Sequence, residues 1–368
     1  MRGLGAAGVR AFLADWDPGL PSFFDRFSPE GLGRVLSTVV SEQAGAYASA
    51  ADMFRFENEP TYVRPVIEGF ADAVKRGIGV DWANILQYCG WAVSQPRSRA
   101  FDAGEFFFRD PHWGWTRRSV IILLERGFAS EPPIPEEFSS RVWDLLSVLA
   151  NDPDPAASDQ WEYEKSNTDP TTHAMNTVRG EALIAVVKYL EWRTGTIRAK
   201  GLKPTLSDMP EVLPVLEAKL DLQQEQSLAV RSVFGQALPI LAYLDLQWVQ
   251  SHVEVLFNPG EQYSPLGQVV WESYLVDSRL RADLFALLEQ RYRVAVRRPP
   301  AKPMYTFRTP QQALAEHVMT AFWWGLSDLE SEAAAPLGNT RACRRARERC
   351  RSREGAGGVH TMGSYRVV

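Results

Sequence analysis

Residues 169–193 read DPTTHAMNTVRGEALIAVVKYLEWR. Asp169 can accept from the free N–H groups of a helix's first turn, and Pro170 carries the φ angle that such a turn needs. Beyond them Val178, Ala182, Val186 and Leu190 recur every four residues, and Leu183, Val187 and Trp192 widen the stripe. Lys188, Glu191 and Arg193 mark the wet side. The pattern predicts one helix from 169 to about 193. So broad an apolar face needs other helices on two sides.

Those neighbours are legible downstream. Glu211 to Leu220 is a short apolar-periodic run, Asp221 to Gln226 is a polar turn, and a longer run carries Val230, Phe234, Ala237, Leu238 and Leu241, which together predict an antiparallel helix pair. Four more helices are expected, over Trp248 to Phe257, Leu266 to Val276, Leu280 to Tyr292 and Gln311 to Leu326. Upstream, helices are expected over Leu32 to Val40, Tyr62 to Lys75, Trp82 to Ala92, Trp115 to Phe128 and Phe138 to Ala150. Val120 to Leu124 has a strand-like composition but sits inside a longer amphipathic stretch. No period-two alternation is sustained anywhere, so the chain is expected to be all-α with almost no sheet.

Two of these helices open alike. Asn176-Thr177-Val178-Arg179 leads into Ala182-Leu183, Leu228-Ala229-Val230-Arg231 leads into Phe234 and Leu238, and Trp115-Thr116-Arg117-Arg118 is a weaker third copy. A Val-Arg pair opening an inner helix resembles the HEAT-repeat pattern, and the resemblance implies that Arg179 and Arg231 meet carboxylates or carbonyls of the adjoining repeat. The intervals are longer and less regular than the ~40–47 residues of such arrays. The fold expected is therefore irregular antiparallel helix pairs, as a degenerate HEAT-like α-solenoid or a single helical bundle.

Residues 166–193 and Gln247 to Leu275 also resemble the helical C-terminal region of large bacterial proteins associated with anti-phage defence. Some of those place an effector or nucleotide-binding module ahead of such a region. No effector motif occurs here, so the resemblance implies a sensing or scaffold part and carries over no catalytic residue.

The domain organisation expected is a helical region over 1–150, a linker at 151–165 (NDPDPAASDQWEYEK), a helical-repeat region over 166–330 and a disordered basic tail over 331–368. Charge follows the same division. Residues 341–368 hold eight Arg and two acidic residues, a net of +6, which leaves −11 of the chain's −5 for residues 1–340. An acidic body disfavours a broad phosphate-binding surface, so nucleic acid is expected only through the tail. The three cysteines, Cys89, Cys343 and Cys350, do not describe a disulfide framework. The longest aliphatic block, Val120 to Leu124, is far short of the ~20 residues that cross a bilayer. A cytoplasmic location without membrane attachment is expected.

Local chemical motifs are few. Gly3-Leu4-Gly5-Ala6-Ala7-Gly8 fits G-x-G-x-x-G, but only Met1 and Arg2 precede it, where a strand is required. His112, His173, His252, His317 and His360 show no metal-ligand spacing. Asp152 and Asp154 open like a calcium loop, which Pro153, Pro155 and Ala157 then spoil. Arg291, Arg293, Arg297, Arg298 and Lys302 fit a helix end better than a phosphate site. No nucleophile elbow, phosphate loop or kinase signature occurs.

No catalytic residue, cofactor or metal is therefore expected. Most of the twelve tryptophans should fill gaps between helices, while Trp113 and Trp161, placed in loops, are candidate binding anchors. The function expected is protein interaction or sensing. The alternatives are an enzyme whose site assembles across an all-helical core and a nucleic-acid binder acting through the tail.

Overall fold

The structure, a computed structural model, describes residues 1–16, 28–99, 109–156, 168–258, 260–297, 304–305 and 308–326. The described residues are mostly helical and contain no strand, only an isolated bridge between Ser98 and His112. The chain divides into two compact units, Met1–Trp271 and Glu272–Val368.

The first unit contains α1 (Gly5–Asp15), α2 (Pro29–Glu42), α3 (Ala44–Ser49), α4 (Pro60–Lys75), α5 (Trp82–Ser94), α6 (Gly114–Ala129) and α7 (Ser139–Leu149). It continues with α8 (Pro170–Met175), α9 (Val178–Ala199), α10 (Leu213–Leu220), α11 (Leu228–Leu244), α12 (Leu246–Ser251) and α13 (Val253–Phe257). The division into units falls within α14 (Ser264–Asp277). Five helices form a row, with α2 packed on α4, α4 on α6, α6 on α9 and α9 on α11. A second set lines it: α3 lies on α4, α5 on α6 and α7, α7 on α9, and α8 on both α9 and α11.

Small residues let the row close up. A Cβ at Gly69 of α4 would stand 2.6 Å from the Val40 side chain and 2.7 Å from the Ser37 carbonyl of α2. One at Gly33 of α2 would stand 2.8 Å from the Pro65 ring of α4. Side-chain caps fix where helices begin: Ser28 accepts from Gly31 N, Asp81 from Asn84 N, Asp169 from Thr172 N and Ser227 from Val230 N. The second unit holds α15 (Ala282–Leu287), α16 (Glu289–Arg297) and α17 (Pro310–Trp323). No helix among the described residues is long and apolar enough to cross a membrane.

Several expectations change. The single helix over 169–193 is two, because Thr177 is extended at φ −121° and ψ 151° and its hydroxyl donates to Ala174 O, satisfying locally a carbonyl that a continuous helix would use. The chain folds back so tightly there that a Cβ at Gly180 would lie 2.6 Å from the Ala174 backbone, and α9 then runs on to Ala199. The runs 248–257 and 280–292 likewise break, at His252 and Leu288.

The expected linker does not separate the units. Its described part, 151–156, is pinned to the body, with Asp152 2% exposed and Asp154 Oδ2 accepting from Val178 N at 2.9 Å. The rest of it, and the tail from 331, lie outside the described residues.

Candidate interaction face and its arginine staples

Three loops are each gripped by an arginine from the preceding row helix, and a fourth arginine grips carbonyls of α10 and α13. Arg64 of α4 donates from Nε and Nη2 to Asp110, at 2.7 and 2.9 Å, in the loop ahead of α6. Arg117 of α6 donates to Asp152 Oδ2 at 2.6 Å and to the Val93 and Gln95 carbonyls. Arg179 of α9 donates to the carbonyls of Asp152 and Pro155, at 2.6 and 2.8 Å, and pairs with Glu225 at 2.8 Å, in the loop ahead of α11. Arg231 of α11 donates to the carbonyls of Lys219, Leu220 and Val255.

The acceptors are as buried as core residues: Asp110 is 1% exposed, Asp152 2%, Glu225 3%. Buried carboxylates survive only when paired, and here the pairing is also what ties successive helices together. Arg97 joins Asp152 from a further direction, and Lys219 Nζ lies between Glu225 and Asn151. Arg231 is fully buried, and burial lowers its pKa to about 10, against a small upward pull from Glu225. It is still a cation at neutral pH. For Arg64, burial works against the charge, but the hydrogen bonds and charges of Asp110 and Glu68 outweigh it and raise its pKa.

The outer side of the row is a lattice of ion pairs between neighbouring helices. Asp72 of α4 meets Arg126 of α6 at 2.6 Å, Arg118 of α6 meets Glu181 of α9 at 2.7 Å, and Lys188 of α9 meets Glu125 of α6 at 2.8 Å. Trp115 stands one turn from Arg118 on α6, 40% exposed, with the Arg64 guanidinium 5.8 Å from its ring centre. Arg118 also donates to the carbonyl of Met175, a residue 46% exposed. Trp115, Asp72, Arg126, Arg118 and Lys188 reach solvent and form a mixed aromatic and charged surface across three helices, while Glu181 is buried beneath Arg118.

Beside Arg179 lies an open cleft of about 350 Å³, lined by Pro155, Ala156, His173, Gln223 to Ser227 and Arg179 itself. The volume would suit a small ligand. Arg179 at its base is committed to the carbonyls of Asp152 and Pro155 and to Glu225.

Two polar clusters test the catalytic alternative. Ser251, His252 and Glu217 lie within hydrogen-bond distance in series, at 3.1 and 3.0 Å. Yet the Ser251 hydroxyl donates to Trp248 O at 2.8 Å, and the same carbonyl faces His252 Nδ1 at 2.8 Å. The serine proton is thus already given to the Trp248 carbonyl, and the hydroxyl does not donate to the imidazole.

In the second unit, His317 Nε2 faces Ser278 O at 3.0 Å, which makes it the donor, so Nδ1 accepts from Tyr292 OH at 2.8 Å. Tyr274 follows at 3.3 Å. Burial lowers the His317 pKa and raises those of both tyrosines. The set is sealed in the core. Among the described residues no group of three His, Cys, Asp or Glu could hold a metal ion.

Arg179 and Arg231 stand 52 positions apart on adjacent row helices; Arg179 grips the loops at 152–155 and Glu225, and Arg231 the carbonyls of Lys219, Leu220 and Val255 in α10 and α13. Trp113 is a correction: it is 1% exposed, edge-on to Trp91 at 5.8 Å, and so fills the core, where it cannot anchor a partner. Its loop-like neighbourhood is the N-cap of α6, which turns the indole inward. Trp161 lies outside the described residues. Sequence reasoning missed Val63-Arg64, a further copy of the same dipeptide, at the start of α4. Comparison with protein-family models, with characterised proteins and with solved structures finds no match.

Proposed function

We propose that the chain is a helical-repeat protein-interaction module whose docking surface is the outer side of α4, α6 and α9, anchored at Trp115. The observation that carries this reading is the row itself, five helices each packed on the next, with arginines early in four of them gripping loops or helix carbonyls of the array. Stacked helix pairs offer long surfaces to a polypeptide, and exposed Trp and Arg are the side chains that most often dominate such contacts. In keeping with the resemblance to bacterial defence proteins, the chemistry would belong to a separate effector.

The test is affinity capture with the full chain and with Trp115→Ala, followed by binding measurements on the protein retained. A specific partner bound at least ~10-fold more weakly by the variant, with an unchanged melting temperature, supports the surface. A partner held equally by both places the interface elsewhere. Retention of no protein by the wild-type chain sinks the reading.

A further inference from the structure

We propose that the turn closing α9, together with Tyr243 of α11, is a docking site for an acidic polypeptide segment that carries an apolar side chain. Gly201 is left-handed at φ +76°, Gly201 N donates to Arg198 O at 2.9 Å, and Leu202 N donates to Ile197 O at 3.3 Å. In a helix ending of this kind the residue after the glycine ordinarily packs an apolar side chain back on the last turn. Leu202 instead stands 62% exposed on ordered backbone. Four residues earlier, the Arg198 guanidinium lies 6.0 Å from the ring centre of Tyr243, itself 37% exposed.

Charge identifies the partner. Residues 198–203 read RAKGLK, with three cations and no acid. Among the described residues neither Arg198 nor Lys203 has a carboxylate within ion-pair distance, whereas Lys200 pairs with Glu136 at 2.6 Å. The acids around the turn are engaged elsewhere: Glu136 also pairs with Arg193, Asp208 accepts from Thr205, and Asp245 accepts from Trp248 N. Cations at a helix C-terminus offset the dipole, but that role does not account for the exposure of Leu202 and Tyr243. A segment with carboxylates flanking an apolar side chain matches the cations and the apolar groups at once.

Nucleic acid fits the turn less well. Residues 1–340 carry −11 and repel a polyanion, and an aliphatic side chain adds nothing to base stacking. Arg198 stands about 25 Å along α9 from Glu181, the partner of Arg118, so this turn and the Trp115 surface can be tested apart.

The experiment is selection of a random-peptide library against the full chain, followed by binding of the enriched peptides in solution. Those peptides are expected to carry net negative charge and at least one leucine, isoleucine or aromatic residue. Their affinity should fall ~10-fold in Arg198→Glu/Lys203→Glu and ~5-fold in Leu202→Ser, each with an unchanged melting temperature, and hold in Trp115→Ala. Enrichment of no peptide, or of neutral or basic peptides alone, overturns the proposal. So does equal binding by the charge-reversed variant, or a loss confined to Trp115→Ala, which places the peptides on the other surface. Single-stranded DNA retained by the wild type and lost by the charge-reversed variant, without binding of acidic peptides, overturns it as well.

Discussion

A guanidinium that donates to three backbone carbonyls in the core cannot be replaced by an apolar side chain of similar length without stranding those acceptors. Arg231 is in that position. Arg231→Met is expected to cost about 3 kcal/mol of unfolding free energy, and Arg231→Lys less, since one ammonium can still serve some of the carbonyls. Chemical denaturation of the three proteins checks the order. His317 makes a second prediction at this scale. Its folded-state pKa is lowered by burial, so the unfolded chain binds the proton more readily. The contribution is complete above the ordinary histidine value of about 6.5 and is lost as pH falls through the lower folded value. His317→Gln should flatten that acid-side loss in a series of thermal melts, and an unchanged pH dependence would contradict the assignment.

At the scale of helices, close approach sets the row's spacing. A methyl group at Gly69 has no room against Val40 and the Ser37 carbonyl, so Gly69→Ala is expected to destabilise by about 1–3 kcal/mol, despite alanine's better helix propensity. A glycine-to-alanine gain instead would mean that α2 and α4 do not approach as described. The Arg117 and Asp152 pair should show coupling of at least about 1 kcal/mol in a double-mutant cycle with Arg117→Met and Asp152→Asn. Helical character was legible in the spacing of Val178, Ala182, Val186 and Leu190, because one-sided burial writes its period into the chain. The break at Thr177 was not, because it depends on a hydroxyl choosing Ala174 O and on Gly180 admitting a neighbour. Asp110, Asp152 and Glu225 were equally hidden: each sits among loop-forming residues, and only the arginine delivered from another helix separates a buried acid from a solvated one. Val63-Arg64 was open to reading as another copy of the dipeptide at Val178 and Val230. Trp113 misled because a tryptophan before a helix reads as loop, while burial is decided by Trp91 across the fold.

At the scale of the first unit, helices joined mainly to their neighbours in the row should respond locally when one joint is cut. Arg179 is the joint for which this is clearest, since it holds the loops 152–155 and 225–227 at once. Amide hydrogen exchange of Arg179→Met against the wild type tests the stapled row most directly. Faster exchange confined to residues 150–156, the start of α9 and the stretch from α10 into α11 is expected, with α2 and α4 as protected as before. Unchanged exchange at those loops, or a uniform rise across α2 and α4 as well, would contradict the account.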